Sequence, residues 1–165
     1  MEPVTAHLGL GSNLGDRVAC IAEAVERLRR CEGITSIEVS SLYETSPVGG
    51  PPQGWFVNAA ARVATRLSPR ELLEECLAVE HAMGRVRTVS NGPRPIDLDV
   101  LLYGALVIAE PGLSIPHPEL ARRRFVLVPL AELAPAAIHP LERASIATLL
   151  ERLPPGCESV RRYES

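Results

Sequence analysis

The order of elements read from this sequence is strand, helix, strand, strand, helix, strand, followed by further C-terminal segments. That order predicts an α+β fold of the ferredoxin-like βαββαβ kind, a mostly antiparallel sheet with helices packed on it. Three observations carry it. Short alternating or apolar runs mark the strands, two amphipathic runs with capping signals mark the helices, and Gly/Pro-rich stretches separate them. No internal repeat and no long linker divides the 165 residues. A single domain spanning 1–165 is expected, together with C-terminal additions to the core order.

Residues 5–11, TAHLGLG, alternate and read as the first strand. The turn GSNLGD follows, with Gly11 and Asn13 expected to serve it. In DRVACIAEAVERLRRC, Val18, Ile21, Val25 and Leu28 recur at helical spacing behind Asp16, a fitting N-cap. Residues 34–43 read as one second strand, and ETSPVGGPPQG as a loop. Residues 55–64, WFVNAAARVA, read as the third strand. The second helix has the clearest start: Ser68 as cap, Pro69 in the first turn and Glu71 three residues after the cap. Its apolar stripe is Leu72, Cys76, Val79 and Met83, and Gly84 can end it. The loop RVRTVSNGPR leads into IDLDVLLY as the fourth strand. Beyond it, ALVIAEPGLSIPHPEL reads as an irregular hairpin and short turn, and RFVLVPLAEL is apolar. SIATLLERL reads as a short helix capped by Ser145, and CESVRRY as a last strand.

Composition narrows the function classes. Hydrophobic residues make up 46% and charged residues 22%, with a net charge of -3. Neither nucleic acid nor an anionic membrane is an expected partner for such a chain. No apolar run approaches a membrane span, and MEPVTAHLGLGSN lacks the features of a signal peptide, so a cytoplasmic protein is expected. Cys20, Cys31, Cys76 and Cys157 form no CxxC pair and read as reduced thiols. All 17 basic residues are arginines. With no lysine, any phosphate must be held by arginine, whose planar fork matches phosphate oxygens in pairs.

The fourth strand carries the sharpest signal. Strand alternation puts Ile96, Leu98, Val100 and Leu102 on one face, assigned to the core, and Asp97 and Asp99 on the other with Leu101 and Tyr103. Their backbones lie about 6.5–7 Å apart. Aspartate is disfavoured in strands, and two carboxylates this close raise each other's pKa unless a cation neutralises them. Hard oxygen ligands of this kind suit Mg²⁺, which retains water and bridges substrate phosphates, and a carboxylate pair can hold two such ions. Arg85, Arg87 and Arg94 lie just upstream. His117, between two prolines, and Arg122, Arg123 and Arg124 lie downstream. The set suits phosphoryl transfer. GLGSNLG has the spacing GxGxxxG, not that of a dinucleotide loop, and the consecutive strands that follow argue against a Rossmann fold.

These residues resemble 6-hydroxymethyl-7,8-dihydropterin pyrophosphokinases of folate biosynthesis. The resemblance rests on LGLGSNLGD, SSLYETSPVG, FVNAA, GRVR, GPRPIDLDVLLYG and IPHPEL, in that order over nearly the whole chain. It implies transfer of a pyrophosphoryl group from ATP, the co-substrate, to a pterin hydroxymethyl oxygen, with release of AMP. By the same resemblance Asp97 and Asp99 hold two Mg²⁺ ions, and Arg85 and Arg94 bind and steady the triphosphate. Arg87 assists, His117 and Arg123 contact phosphates, and Glu80 lies near the ribose and reacting centre. Phe56 and Phe125 sandwich the pterin, and Asn58 hydrogen-bonds it beside Thr45 and Val48. A monomer is expected.

Some positions depart from the family pattern. Asn91 and Pro118 stand where aromatics are common, Gly112 where an arginine is, and Ser46 where a proline is. Other readings of the same fold are an RNA-binding module, a small-molecule regulatory domain or another Mg²⁺-dependent phosphoryl or nucleotidyl transferase. The first needs exposed aromatics and a basic face, against 4% aromatics and a negative charge. A regulatory domain has no use for the Asp pair beside arginines, and the pterin-loop and FVNAA motifs argue against another transferase.

Overall fold

The structure is a computed structural model that describes residues 2–46, 54–84, 95–155 and 159–163. In chain order its elements are β1 (Val4–Ser12), α1 (Arg17–Arg29), β2 (Ile34–Val39), β3 (Tyr43–Thr45), β4 (Phe56–Thr65), α2 (Pro69–Ala82) and β5 (Asp97–Tyr103). The short strands β6 (Ile108–Glu110) and β7 (Leu113–Ile115) follow, then a 3₁₀ turn at Leu120–Arg122 and α3 (Arg124–Leu133). Strands β8 (Ile138–His139) and β9 (Ala144–Ser145), α4 (Ile146–Arg152) and β10 (Val160–Arg162) complete it.

The main sheet runs β10-β3-β4-β1-β5, with β2 also on β4. Its pairings are all antiparallel. β1 and β4 occupy the centre, which is the split βαβ arrangement expected of the ferredoxin-like fold. The single strand expected at 34–43 is two. β2 pairs with the far end of β4 and β3 with its start, at Phe56–Asn58. The chain breaks between them where the Ser40 hydroxyl accepts from the Ala60 N–H at 2.9 Å, substituting for a ladder bond.

Local chemistry starts the helices where the sequence indicates. The Asp16 carboxylate accepts from the Ala19 N–H at 3.1 Å. Ser68 and Glu71 form a reciprocal capping box at 3.1 and 2.9 Å. Gly84, at φ +84°, follows the α2 cap in the left-handed region. The buried stripes Ile21, Ala24, Val25, Leu28 and Leu72, Cys76, Val79 cover one sheet face, packing on Leu8, Leu10, Val57, Leu98 and Val100.

On the opposite face a second core forms from Leu120, Leu127, Leu130, Ile146 and Leu149 over Ala60, Leu101 and Leu102. RFVLVPLAEL, read only as apolar, is therefore a helix. It contains Pro129, which cannot donate to the Phe125 carbonyl four residues earlier. The Tyr43 hydroxyl and the Ser41 N–H donate to the Glu132 carboxylate at 2.6 and 2.7 Å, tying α3 to the sheet. Burial pushes Glu132 up, but these bonds hold it net below the usual carboxylate range, while Tyr43 is pushed up to about 12, chiefly by burial.

Simple alternation fails at one point in β5. Its register against β1 shifts between His7 and Leu8, so that Leu101 is the extra residue. Leu102 then joins Leu101 in the second core, and Tyr103 points into the first. The expected placement of these two residues is reversed, while Asp97 and Asp99, before the bulge, keep their common face.

Candidate active site at the carboxylate pair

The two aspartates face a part of the sheet stripped of side chains. Asp97 pairs with Gly11 and Asp99 with Gly9. Gly11 is not in a turn, as expected from the sequence, but inside β1 between Asn58 and Asp97. A Cβ there would come within 2.7 Å of the Asn58 Nδ2 atom. The two glycines thus leave open the floor of a cavity between the carboxylates and Asn58.

The walls come from β3, β4 and the start of α3. Phe56, Asn58, Thr45, Arg123 and Phe125 line the same cavity as Asp97 and Asp99. Thr45 is buried and its hydroxyl donates to Asn58 Oδ1 at 2.6 Å, which orients the amide with Nδ2 available to a ligand. The Arg123 guanidinium lies 5.6 Å from the Phe125 ring centroid, placing a cation beside an aromatic wall.

A second cleft lies along the outer edge of β5, between α2 and β7. Leu73, Leu77, Gly112, His117 and Pro118 line it, together with Asp99. Asp99 therefore borders both clefts, with its side chain 41% exposed. His117 Nε2 stands 3.8 Å from Asp99 Oδ1. Its Nδ1 accepts from the Glu119 N–H at 3.1 Å, so the neutral ring carries its proton on Nε2. Burial, helped by Arg123, lowers the His117 pKa against the weaker pull of Asp97 and Glu119.

Glu80 is not a surface residue of α2. It is 3% exposed, and its Oε2 accepts from the Leu98 N–H at 2.7 Å. Leu98 lies between the two aspartates on an edge strand, so this buried carboxylate holds the backbone that carries them. Among the described residues no group of three or more His, Cys, Asp or Glu could enclose a metal. Two aspartate carboxylates suit Mg²⁺, which retains water and takes phosphate oxygens in preference to an all-protein cage.

Of the residues singled out in the sequence, Thr45, Phe56, Asn58, Asp97, Asp99, Arg123 and Phe125 meet in one cavity. His117 joins Asp99 in the other, and Glu80 lies behind β5. Val48, Arg85, Arg87, Arg94 and Asn91 lie outside the described residues. Sequence reasoning missed Gly9 and Gly11 as the cavity floor. The signal was present, because the two glycines alternate as the aspartates do.

Comparison with known proteins decides the family. The family described as 7,8-dihydro-6-hydroxymethylpterin-pyrophosphokinase (HPPK) matches residues 7–135. The chain belongs to this family. A relative named 2-amino-4-hydroxy-6-hydroxymethyldihydropteridine pyrophosphokinase, from Methylorubrum extorquens, is 50% identical over 130 residues, 79% of this chain and 82% of the relative. Folic acid synthesis protein fol1 of Schizosaccharomyces pombe is 41% identical over 160 residues, 97% of this chain. This chain spans only 22% of that longer protein. The crystal structure of wild-type Plasmodium falciparum HPPK-DHPS superposes with a TM-score of 0.72 over 92% of this chain and 45% of that one. At 16% identity the likeness speaks for the fold, and its HPPK part is of the same ferredoxin-like α+β class. The β3–β4 cavity and the carboxylate pair thus belong to an HPPK domain.

Proposed function

We propose that the chain transfers the β,γ-pyrophosphoryl group of ATP to the hydroxymethyl oxygen of 6-hydroxymethyl-7,8-dihydropterin and releases AMP. One observation carries this reading: Asp99 borders two separate clefts, one walled by aromatics and one open along the sheet edge. A reaction joining two substrates needs such a shared boundary. The flat pterin suits the first cleft, between Phe56 and Phe125, with Asn58 supplying a fixed hydrogen-bonding edge. The nucleotide takes the second, beside His117.

Asp97 and Asp99 are the residues that would hold two Mg²⁺ ions. Metal held by these carboxylates would neutralise phosphate charge and polarise the transferring phosphorus. The protein's own part is placement. The pterin hydroxymethyl oxygen attacks the β-phosphorus in line, its proton passes to solvent water, and the bond from that phosphorus to the oxygen bridging to the α-phosphorus breaks. That oxygen leaves with AMP. His117, whose Nδ1 accepts from the Glu119 N–H, offers its Nε2–H to a phosphate oxygen, and Arg123 adds a cation on the pterin side. Arg85 and Arg94 steady the group in flight and Arg87 assists, as the family resemblance implies. Glu80 holds β5 through the Leu98 N–H and, as the family resemblance implies, lies near the ribose and the reacting centre. A cytoplasmic monomer, consisting of one domain, fits this reading.

ATP labelled at the β-phosphorus tests it. The label is expected on the pterin product; label retained in the nucleotide product overturns the reading.

A further inference from the structure

β10 belongs to the main sheet but falls beyond residue 135, where the family match ends. It pairs with β3, placing Val160 against Thr45, Arg161 against Glu44 and Arg162 against Tyr43. The pairing continues past the strand end. The Ser46 N–H donates to the Ser159 carbonyl at 3.0 Å, and the Ser159 N–H donates to the Ser46 hydroxyl at 2.8 Å. A proline at position 46 could make neither bond. Thr45 and Ser46 both line the aromatic cavity, and Thr45 orients Asn58.

The same strand reaches the other wall. The Arg161 guanidinium stacks 4.6 Å from the Trp55 ring centroid and lies 3.7 Å from the Glu44 carboxylate. Arg17 Nη1 donates to the Trp55 carbonyl at 2.8 Å and stands 3.5 Å from Glu44. Trp55 immediately precedes Phe56.

β10 is a poor source of core stability, because Arg161 and Arg162 are exposed and Val160 is only half-buried. Its contacts with the cavity wall are backbone bonds, the Ser46 hydroxyl bond, a stacked cation and an ion pair, while Arg162 Nη2 donates to the Ser41 hydroxyl at 2.6 Å, away from the cavity. We propose that β10 is a strap that positions the pterin cavity, with Arg161 as its positioning residue through Trp55 and Glu44. The assignment rests on the reading of that cavity as the pterin site. Arg161 touches neither substrate. It acts by holding the backbone from which Phe56 and Asn58 project.

The test compares wild type, Arg161→Ala, Arg161→Lys and a chain ending at residue 158. Calorimetric titration with the hydroxymethyl pterin is combined with KM for ATP, kcat and thermal melting. Arg161→Ala is expected to weaken pterin binding about 3- to 10-fold, the scale of one lost cation–π contact. Its ATP KM and kcat should stay within about twofold and its melting temperature should fall by no more than about 5 °C. Arg161→Lys should recover most of the affinity, since a cation remains over the ring. Trp55 is the sole tryptophan, so its emission should shift in Arg161→Ala before any substrate is added. The shortened chain should lose more pterin affinity than Arg161→Ala. Wild-type pterin affinity in both Arg161→Ala and the shortened chain overturns the strap. Equal loss for both substrates with a lowered melting temperature also overturns it, showing a merely structural element. A wild-type protein that binds no pterin overturns the functional reading and the strap with it.

Discussion

Gly11 and Glu80 shape the site without being able to transfer anything. Gly11→Ala puts a methyl group 2.7 Å from Asn58 Nδ2, a distance at which the amide must move. The expected outcome is a pterin KM raised about tenfold or more with little change in the ATP KM, measured by steady-state kinetics. The displacement also costs about 1–3 kcal/mol of stability, as overpacking does. Glu80→Ala leaves the Leu98 N–H buried without its acceptor, at a cost of about 1–3 kcal/mol. Chemical denaturation should show that loss, with Glu80→Gln retaining most of the stability because its carbonyl still accepts. Residues of this kind are the hardest to read from sequence. The two aspartates are legible because charge in a strand needs a cause. A glycine in a strand shows only that something is absent, and what fills the space depends on β4, 45 residues away. Glu80 follows the apolar stripe of α2, and its role appears only when β5 is packed against it.

At the scale of elements, the helices with capping chemistry were legible and the ladder details were not. The Ser68 capping box starts α2, which carries Glu80 towards β5. Ser68→Ala should lower stability by about 1 kcal/mol, seen as a lower denaturation midpoint with unchanged slope. The break between β2 and β3 escaped sequence reading because Ser40 and Ser41 fit an alternating strand. Only the register on β4 shows that Ser40 spends its hydroxyl on the Ala60 N–H. The bulge at Leu101 was hidden for a similar reason. VLLY is apolar throughout, so the pattern cannot show which residue is extra, and Leu102 and Tyr103 exchanged faces. The helix over 124–133 was obscured by Pro129 and by apolar residues around most of its circumference.

For the molecule as a whole, two faces of one sheet do different work. One is covered by α1 and α2. The other is covered by α3 and α4 only in part, and the uncovered part is the glycine floor between Asn58 and the aspartates. The order βαββαβ predicted the first arrangement, whereas the second depends on additions whose docking no local pattern reveals. His7, on the second face, is buried with neither ring nitrogen paired among the described residues. Burial, and then Arg62, lowers its pKa from 6.5 to about 4. The unfolded chain therefore binds this proton first. Stability is full above about pH 6.5, falls as the pH drops towards 4, and loses roughly 3 kcal/mol over that window. Denaturation midpoints measured from pH 7 to 4 should show that fall, and His7→Leu should flatten it. The central claim is that the carboxylate pair between two clefts directs pyrophosphoryl transfer. Its most direct measurement is the nucleotide formed per pterin consumed, for wild type and Asp99→Ala side by side. One AMP per pterin in wild type, with turnover lowered by about 10²–10³-fold or more in the variant, is the predicted result. ADP as the product, or near-normal AMP release by Asp99→Ala, would contradict it.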